Sequence, residues 1–583
     1  MLTTDPVAHL RPLPALAPSN VPLADATVPD LLHATALRRV DADQTRLAIA
    51  LAFASGVSGG LFADALDRAT LAPSTWEPAS FASDLFLHTF VSTCFRARLH
   101  AALPSAGGRA QPGASHEPQL LTNHLVRLLA SPPSDVASVE HRRVILAELV
   151  ESPALRLALE RLYRLLSQFR TLLEGATGIG KWDANRRQLD LLVLVKEIVD
   201  CLAEGFVTAR SGLARLREFG DRVRAGESYR SLSDLLRYDE HLGTLDLKIR
   251  VGADGRIRGF QIAAIQENAE NPFVSSPMQR WLAKLELFLR GYSFGDGEVM
   301  ARLIDAVFDG VEDEIVHFVQ LFGDIELYLG ALGFRDLAKG AGLDVCLPDL
   351  VLPQGARVLR GLFNPLLLAH GVRVTPCDIT TDRHDTTVLV TGPNSGGKTR
   401  LLQSIALAQV LAQSGLFVPA EAASLSLCPS LVVSLIEQTR ADQAEGRLGT
   451  ELMRIRALFE RLPPGAMVVL DELCSGTNPS EGEEIFELVV EMLSRLNPQA
   501  LITTHFLAFA ARLEREGKIS ELRFLQVQLD GSQRPTYQFT KGVASTSLAG
   551  QAAARLGVTG EQLRSLIDRN IASVTLRAGS APA

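Results

Sequence analysis

The sequence is poor in the features that mark secreted, metal-caged or uniformly basic proteins. Its six cysteines are scattered singly and form no C-x-x-C pair, which suits reduced thiols in a cytosol and gives no cysteine cage for a metal. The chain does not begin with a charged segment followed by an apolar core, so no signal peptide is expected. These absences predict a cytoplasmic protein.

The chain also lacks an excess of positive charge, since it has 58 Lys and Arg residues against 66 Asp and Glu residues. The formal net charge is −8, which argues against a uniformly basic coat for nucleic acid and leaves only local basic faces for that role. Hydrophobic residues make up 47% of the chain and charged residues 21%, a composition typical of folded rather than disordered proteins. Because 583 residues exceed what one hydrophobic core holds, about two to four domains are expected.

The periodicity of apolar residues divides the chain into four regions. An N-terminal region at 1–118 starts as a loose arm of about 30 residues, rich in proline and alanine, and continues with helical patterns. A mostly α-helical core or lever is predicted over 119–350, and an α/β domain over 355–560. A C-terminal helix and tail complete the chain at 561–583.

Inside the helical region, the segment 245–265 changes to a period of two and predicts a β-hairpin. Ala253-Asp-Gly255 supplies its turn. One polar edge of the hairpin carries Lys248, Arg250, Arg256 and Arg258. Two interpretations stay open: a clamp tip that contacts nucleic-acid phosphates without reading bases, or an ordinary solvated strand face.

A glycine-rich segment predicts a nucleotide phosphate site. It fits the pattern G-x-x-x-x-G-K-[ST] and lies between a short apolar strand at 387–390 and a helical pattern, the context that this motif requires. Backbone N–H groups of such a loop turn toward the phosphates, and the following helix adds its dipole. We expect Lys398 to contact the β- and γ-phosphates and the Thr399 hydroxyl to bind Mg²⁺, with ATP or GTP as the nucleotide. The predicted nucleotide-binding residues are Gly392, Pro393, Asn394, Ser395, Gly396, Gly397, Lys398 and Thr399.

Two further apolar strands end in polar residues. The first ends at Asp471 and Glu472, of which the aspartate is expected to hold Mg²⁺ and the glutamate to polarise the attacking water. The second ends at His505, 33 residues after Glu472. A lone histidine at a strand end is more often structural. Here it is the third strand terminus at one edge of a parallel sheet, which favours a role at the γ-phosphate.

Together, the segments 392–399, 471–482 and 503–505 resemble the ATPase domain of the MutS family, which belongs to the ABC-type ATPases. Ser475-Gly-Thr477, after the acidic pair, is typical of this family and absent from transporter ATPases. The resemblance implies a C-terminal α/β P-loop ATPase domain, preceded by a mostly α-helical lever with a small β-hairpin. It also implies ATP and Mg²⁺ as cofactors and ATP hydrolysis coupled to conformational switching.

The chain also departs from the family pattern. None of its 25 phenylalanines has a glutamate two positions later, so the Phe-x-Glu wedge that reads mismatches is missing, and nothing after residue 560 resembles the Smr nuclease. A short form of the family is therefore expected. The signature loop near 442–454 has no serine, and Thr450 is its candidate substitute. Val374 stands where an aromatic residue usually stacks on adenine.

The resemblance predicts a homodimer joined through the ATPase domains, since sites of this class take a signature contact from the second subunit. The expected function is a clamp or sensor of DNA that is mismatched, branched or otherwise non-standard, driven by ATP. The alternative is an ATP-driven scaffold of the same family that grips a protein or the ribosome instead of DNA.

Overall fold

The structure is a computed structural model that describes residues 27–56, 59–71, 73–77, 81–96, 121–175, 184–241, 244–251, 257–266, 296–435, 447–474, 478–545 and 558–578. The chain forms two compact units. The first, called the helical unit, comprises Met1–Thr75, Phe86–Gly342 and Val410–Phe417. The second, called the sheet unit, comprises Trp76–Leu85, Leu343–Gln409 and Val418–Ala583.

The helical unit consists mainly of α-helices with one two-stranded sheet. Its described elements are α1 (Ala42–Ser55), α2 (Leu61–Arg68), α3 (Leu87–Cys94), α4 (Thr122–Ala130), α5 (Val136–Glu151), α6 (Pro153–Leu173), α7 (Ala184–Gly205), α8 (Ala214–Ala225), α9 (Glu227–His241), β1 (Thr244–Val251), β2 (Ile257–Gln266) and α10 (Asp296–Gly340).

Capping residues explain where several of these helices begin. The Asp41 carboxylate accepts a 3.0 Å hydrogen bond from the backbone N–H of Gln44 at the start of α1, and Asp135 does the same for Ser138 at the start of α5. Ser152 caps α6, whose first residue is a proline, a residue that fits the first helical turn because its missing N–H would have no partner there.

The 45-residue helix α10 is the core element of the helical unit. Tyr163 of α6 stacks on its Phe322 with ring centroids 5.1 Å apart, and Phe90 of α3 meets its Phe334 edge to face. The segment Ala301–Gly340 of α10 is long and apolar enough to cross a membrane, but 94% of its most apolar stretch is buried inside the protein. Burial in the protein core therefore accounts for its apolar composition.

The expectation of a loose arm is wrong for the part of it that the structure describes, residues 27–30. Val28 and Asp30 are buried, with 2% and 0% of their surface exposed. The Asp30 carboxylate accepts backbone hydrogen bonds from Leu32 and Leu37, and Arg39 forms a fully buried ion pair with Asp324 of α10. The start of the described chain is thus fastened to the core helix by polar contacts that composition does not reveal.

The predicted hairpin at 245–265 is confirmed for its backbone. Strands β1 and β2 pair antiparallel, with Thr244 opposite Gln266 and Val251 opposite Ile257. The predicted turn lies outside the described residues, and so do the side chains of the basic edge.

The sheet unit alternates strands with helices, as the sequence predicted for 355–560. Its described elements are β3 (Asp349–Leu350), β4 (Arg357–Leu362), α11 (Pro365–Ala369), β5 (Cys377–Thr381), β6 (Thr387–Thr391), α12 (Lys398–Gln413), β7 (Ala422–Leu425), β8 (Leu431–Ser434), α13 (Arg447–Arg461), β9 (Met467–Leu470), α14 (Pro479–Ser494), β10 (Gln499–Thr503), α15 (Leu507–Glu516), β11 (Leu522–Leu529), β12 (Pro535–Lys541) and α16 (Gly560–Ala578).

A six-stranded sheet organises this unit, with strand order β12-β11-β6-β10-β9-β8. The five strands from β11 to β8 are parallel, and β12 adds an antiparallel edge. Every residue of β6, β9 and β10 is buried, which explains their continuous apolar runs. Because parallel strands end at one edge, the residues that follow β6, β9 and β10 share an edge of the sheet, where ligands bind in folds of this class. A second sheet has the order β3-β7-β4-β5.

Candidate functional site

The predicted phosphate loop connects β6 to α12, and two glycines make its turns possible. Gly392 has φ 140° and Gly397 has φ 85°, both in the region that side chains disfavour, and a short 3₁₀ turn, Asn394–Gly396, lies between them. A Cβ atom on Gly392 would lie 2.6 Å from the Val527 side chain, so no larger residue fits there. Strand, glycine loop and helix therefore follow one another as the sequence predicted.

Lys398 is the first residue of α12, and its ammonium group is already held inside the loop. Its Nζ donates hydrogen bonds to the carbonyl oxygens of Gly392 at 2.9 Å and Pro393 at 3.3 Å. Burial lowers the pKa of Lys398 from its ordinary value, and the nearby Glu472 and Asp471 carboxylates oppose that shift. The loop carbonyls thus hold the ammonium group of Lys398 in place, close enough to both acidic side chains to interact with their charges.

Asp471 is bonded to threonines on two sides. The Thr399 hydroxyl donates a 2.6 Å hydrogen bond to its Oδ2, and the Thr503 hydroxyl donates one to its Oδ1. These three residues come from α12, the end of β9 and the end of β10. The chain segments that the sequence predicted to share an edge therefore meet around one carboxylate.

Thr399 and Asp471, the two predicted Mg²⁺ ligands, offer a hydroxyl and a carboxylate oxygen, which are the hard oxygen ligands that Mg²⁺ prefers. Within the described residues there is no group of three or more histidine, cysteine or acidic side chains arranged for a metal. This donor set fits an ion that takes one or two protein ligands and completes its shell with water and nucleotide phosphate.

Glu472 and His505, the predicted catalytic residues, follow β9 and β10. Glu472 is partly exposed and has φ 48°, an uncommon conformation for a residue other than glycine, and its N–H donates a 2.8 Å hydrogen bond to the Thr503 hydroxyl. His505 is exposed, and its ring lies 4.2 Å from the ring of Phe506. Both side chains are thus accessible at the carboxyl edge of the sheet, while their catalytic roles stay predictions.

Two residues beside the site escaped the sequence prediction. One is Thr503, described above. The other is Tyr537 of β12, which is 47% exposed, has φ 60° and lies against the phosphate loop at Gly397. Gln538, its neighbour, donates a 2.8 Å hydrogen bond to the Pro376 carbonyl, close in sequence to Val374. The sequence does hold a signal for Tyr537, because the segment 537–550 is itself similar to a motif of the MutS family.

Some predicted features lie outside the described residues. They include the family-typical Ser475-Gly-Thr477 and the first part of the signature loop, 442–446. Thr450 lies in the first turn of α13, where the backbone alone is described. Its proposed substitution for the signature serine stays a prediction.

The site residues fall inside a region that matches a known domain. Residues 388–565 match the family described as MutS domain V. The match begins in β6 and includes the phosphate loop, the acidic pair and His505.

Similarity to curated proteins agrees with this match. Endonuclease MutS2 of Thermomicrobium roseum is 30% identical over 270 residues, covering 44% of this chain and 32% of that protein. Endonuclease MutS2 of Thermus thermophilus is 34% identical over 241 residues, or 40% of this chain and 31% of that protein. The mitochondrial DNA mismatch repair protein MSH1 of Arabidopsis thaliana is 28% identical over 284 residues, which is 47% of this chain and 25% of that protein. The matched part of this chain thus spans about a third or less of the length of these relatives.

Proposed function

This chain belongs to the MutS family, and from that membership we propose that it is a Mg²⁺-dependent ATPase whose nucleotide cycle drives a DNA-binding clamp. The observation that carries the ATPase part is the 2.6 Å hydrogen bond between Thr399 and Asp471. These residues are separated by 72 positions in the sequence, yet they present two hard oxygen ligands beside the buried ammonium of Lys398. P-loop NTPases use this combination, in which a lysine binds phosphate while a Ser/Thr hydroxyl and an aspartate hold Mg²⁺.

The roles that we propose for the side chains follow from their chemistry. The loop N–H groups and Lys398 bind the phosphates, and the positive charge of Lys398 offsets charge that develops during transfer. Thr399 and Asp471 would hold Mg²⁺, which when bound neutralises charge on the β- and γ-phosphates. Glu472 orients and polarises the attacking water. His505 contacts the γ-phosphate and distinguishes the triphosphate from the diphosphate.

We further propose that ATP brings two copies of the sheet unit together. Proteins with this domain typically dimerise, and the segment expected to reach the second nucleotide, 442–454, includes the beginning of α13. ATP binding would then close the clamp, and hydrolysis would release it. A switch of this kind predicts slow basal turnover that its target accelerates.

The proposed target is DNA with a mismatch, branch or other non-standard structure. Similar proteins are named for mismatch repair and for an endonuclease, which supports DNA rather than a protein as the target. The β1–β2 hairpin is the element that we propose as the clamp tip, because its polar edge contains lysine and arginine. Nuclease activity is not part of this proposal, because the matched residues belong to the ATPase domain.

The test is the ATPase rate of the full chain without DNA and with homoduplex, mismatched or four-way-junction DNA, at low and moderate salt. We expect one DNA form to accelerate turnover and the effect to fade with salt, because phosphate contacts release counterions. Absence of any turnover would contradict the ATPase assignment. Turnover that no DNA form changes would reject DNA as the target and favour the protein-directed or ribosome-directed scaffold.

A further inference from the structure

Thr503 is the last residue of β10 and is fully buried beside the acidic pair. The register of the parallel strands brings it there, because Ile502 lies opposite Leu470 and the next residues on the two strands are Thr503 and Asp471. Its hydroxyl therefore faces a carboxylate that is separated from it by 32 positions in the sequence.

This hydroxyl makes one hydrogen bond as a donor and one as an acceptor, and both partners belong to the acidic pair. A threonine hydroxyl has one proton to donate and lone pairs to accept. Thr503 donates its proton to Asp471 Oδ1 and accepts the backbone N–H of Glu472 at 2.8 Å. One side chain thus holds the carboxylate of the first acidic residue and the backbone of the second.

These two bonds act at different points of the proposed site. The Asp471 oxygen bonded by Thr503 is Oδ1, whereas Oδ2 faces Thr399, the other predicted Mg²⁺ ligand. The bond from Thr503 therefore holds the Asp471 carboxylate in one rotation, with Oδ1 toward Thr503 and Oδ2 toward Thr399. The bond to the Glu472 N–H stabilises a backbone conformation, φ 48°, that would otherwise cost free energy.

We propose that Thr503 is a positioning residue of the nucleotide site, which aims Asp471 at Mg²⁺ and Glu472 at the attacking water. This inference rests on the proposed ATPase function. A purely structural role would require only the volume of the side chain, and valine supplies nearly the same volume without the hydroxyl. The proposal requires the hydroxyl, which serine retains.

The test compares the full-length protein with its Thr503→Val and Thr503→Ser variants. Binding of a fluorescent, non-hydrolysable ATP analogue is measured as Mg²⁺ is titrated, and again in EDTA. We expect Thr503→Val to raise the Mg²⁺ concentration for half-maximal binding by about tenfold or more, the usual effect of losing a hydrogen bond to a charged group. Thr503→Ser should restore most of the Mg²⁺ affinity, and binding in EDTA should be the same for all three proteins.

Thr504→Val is the matched control. Thr504 is the next residue and equally buried, but its hydroxyl accepts the N–H of Phe506 rather than contacting Asp471. This variant should lose thermal stability without changing the Mg²⁺ titration. At saturating Mg²⁺, Thr503→Val should still turn over more slowly than the wild type, because the Glu472 backbone has lost its acceptor.

A second background tests whether Thr503 acts through Asp471. In Asp471→Asn protein, adding Thr503→Val should change the Mg²⁺ titration no further. Thr503→Ala provides another side chain without a hydroxyl if the valine variant does not fold. The proposal is overturned if the hydroxyl-free variants titrate Mg²⁺ like the wild type, or if serine and valine are equally impaired. A wild-type protein that binds no nucleotide would instead contradict the proposed function itself.

Discussion

The ring of Tyr537 lies against Gly397 of the phosphate loop, so close that a Cβ atom on that glycine would be 3.2 Å from Tyr537 Cδ1. Tyr537 has φ 60°, a conformation that costs about 1–3 kcal/mol for a residue other than glycine and that persists only where the surroundings enforce it. Even so, the side chain stays 47% exposed. An accessible aromatic face beside a phosphate loop is suited to stack on the base of a nucleotide.

Replacing Tyr537 by alanine should therefore weaken ATP binding. Loss of one aromatic contact corresponds to about a two- to tenfold increase in Kd, and Tyr537→Phe should bind ATP like the wild type. Equilibrium binding of a fluorescent ATP analogue measures this change. Inorganic tripolyphosphate has no base, so its affinity should be equal in all three proteins. An alanine variant that binds ATP as tightly as the wild type would exclude Tyr537 from the base site. The segment near Val374 would then be the candidate for contact with the base.

Glu472→Gln should separate ATP binding from hydrolysis. Glutamine has nearly the same size and shape as glutamate, but its amide cannot accept a proton from water. Turnover should therefore fall by about 10²–10⁴-fold while ATP still binds. Single-turnover hydrolysis and nucleotide binding measure the two effects. Glu421→Gln is the control, because Glu421 is exposed and paired with Arg360 at 3.1 Å. Unchanged turnover in Glu472→Gln would assign the role of the base to another group.

The sequence predicted the parts of this protein that depend on local patterns. The runs at 387–390, 466–470 and 500–504 are apolar because β6, β9 and β10 are buried on both faces, and such runs are readable without a structure. The phosphate loop was predictable for a similar reason, since the left-handed conformations at Gly392 and Gly397 require glycine at those positions.

The parts that escaped prediction depend on contacts between distant segments. Thr503 approaches Asp471 only because β10 lies between β6 and β9, an order that no residue pattern specifies. Tyr537 reaches the phosphate loop from an antiparallel edge strand. Arg39 and Asp324 are 285 positions apart, so no local pattern indicates their buried ion pair.

The helical unit contains a carboxyl group whose protonation is linked to folding. Glu326 of α10 is fully buried, accepts a 2.7 Å hydrogen bond from the Leu121 N–H and a 2.9 Å bond from the Tyr163 hydroxyl, and has no surface in water. Burial raises the pKa of Glu326 from 4.5 to about 7, although these two hydrogen bonds and the nearby Arg170 oppose the shift. The folded protein therefore keeps this proton over a pH range in which the unfolded chain has lost it.

This shift in pKa predicts that stability decreases as pH rises from about 4.5 to about 7, because the folded state binds one more proton than the unfolded state over that range. Glu326→Gln removes the titration and should flatten the profile. Since one pKa unit corresponds to 1.36 kcal/mol, the variant should gain on the order of 3 kcal/mol relative to the wild type between pH 4 and pH 8. Urea unfolding followed by far-UV circular dichroism at several pH values measures the free energy.

The control for this pH dependence is Glu151→Gln, at the exposed end of α5, which should keep the wild-type profile. A glutamine at 326 can still accept the Leu121 N–H, and its amide can donate to the Tyr163 oxygen, so the substitution changes the charge more than the packing. If the profiles of wild type and Glu326→Gln run parallel from pH 4 to pH 8, Glu326 does not take up a proton on folding. In that case the two hydrogen bonds stabilise the Glu326 carboxylate in the core, and removing the one from Tyr163 through Tyr163→Phe should destabilise the protein at neutral pH by about 1–3 kcal/mol.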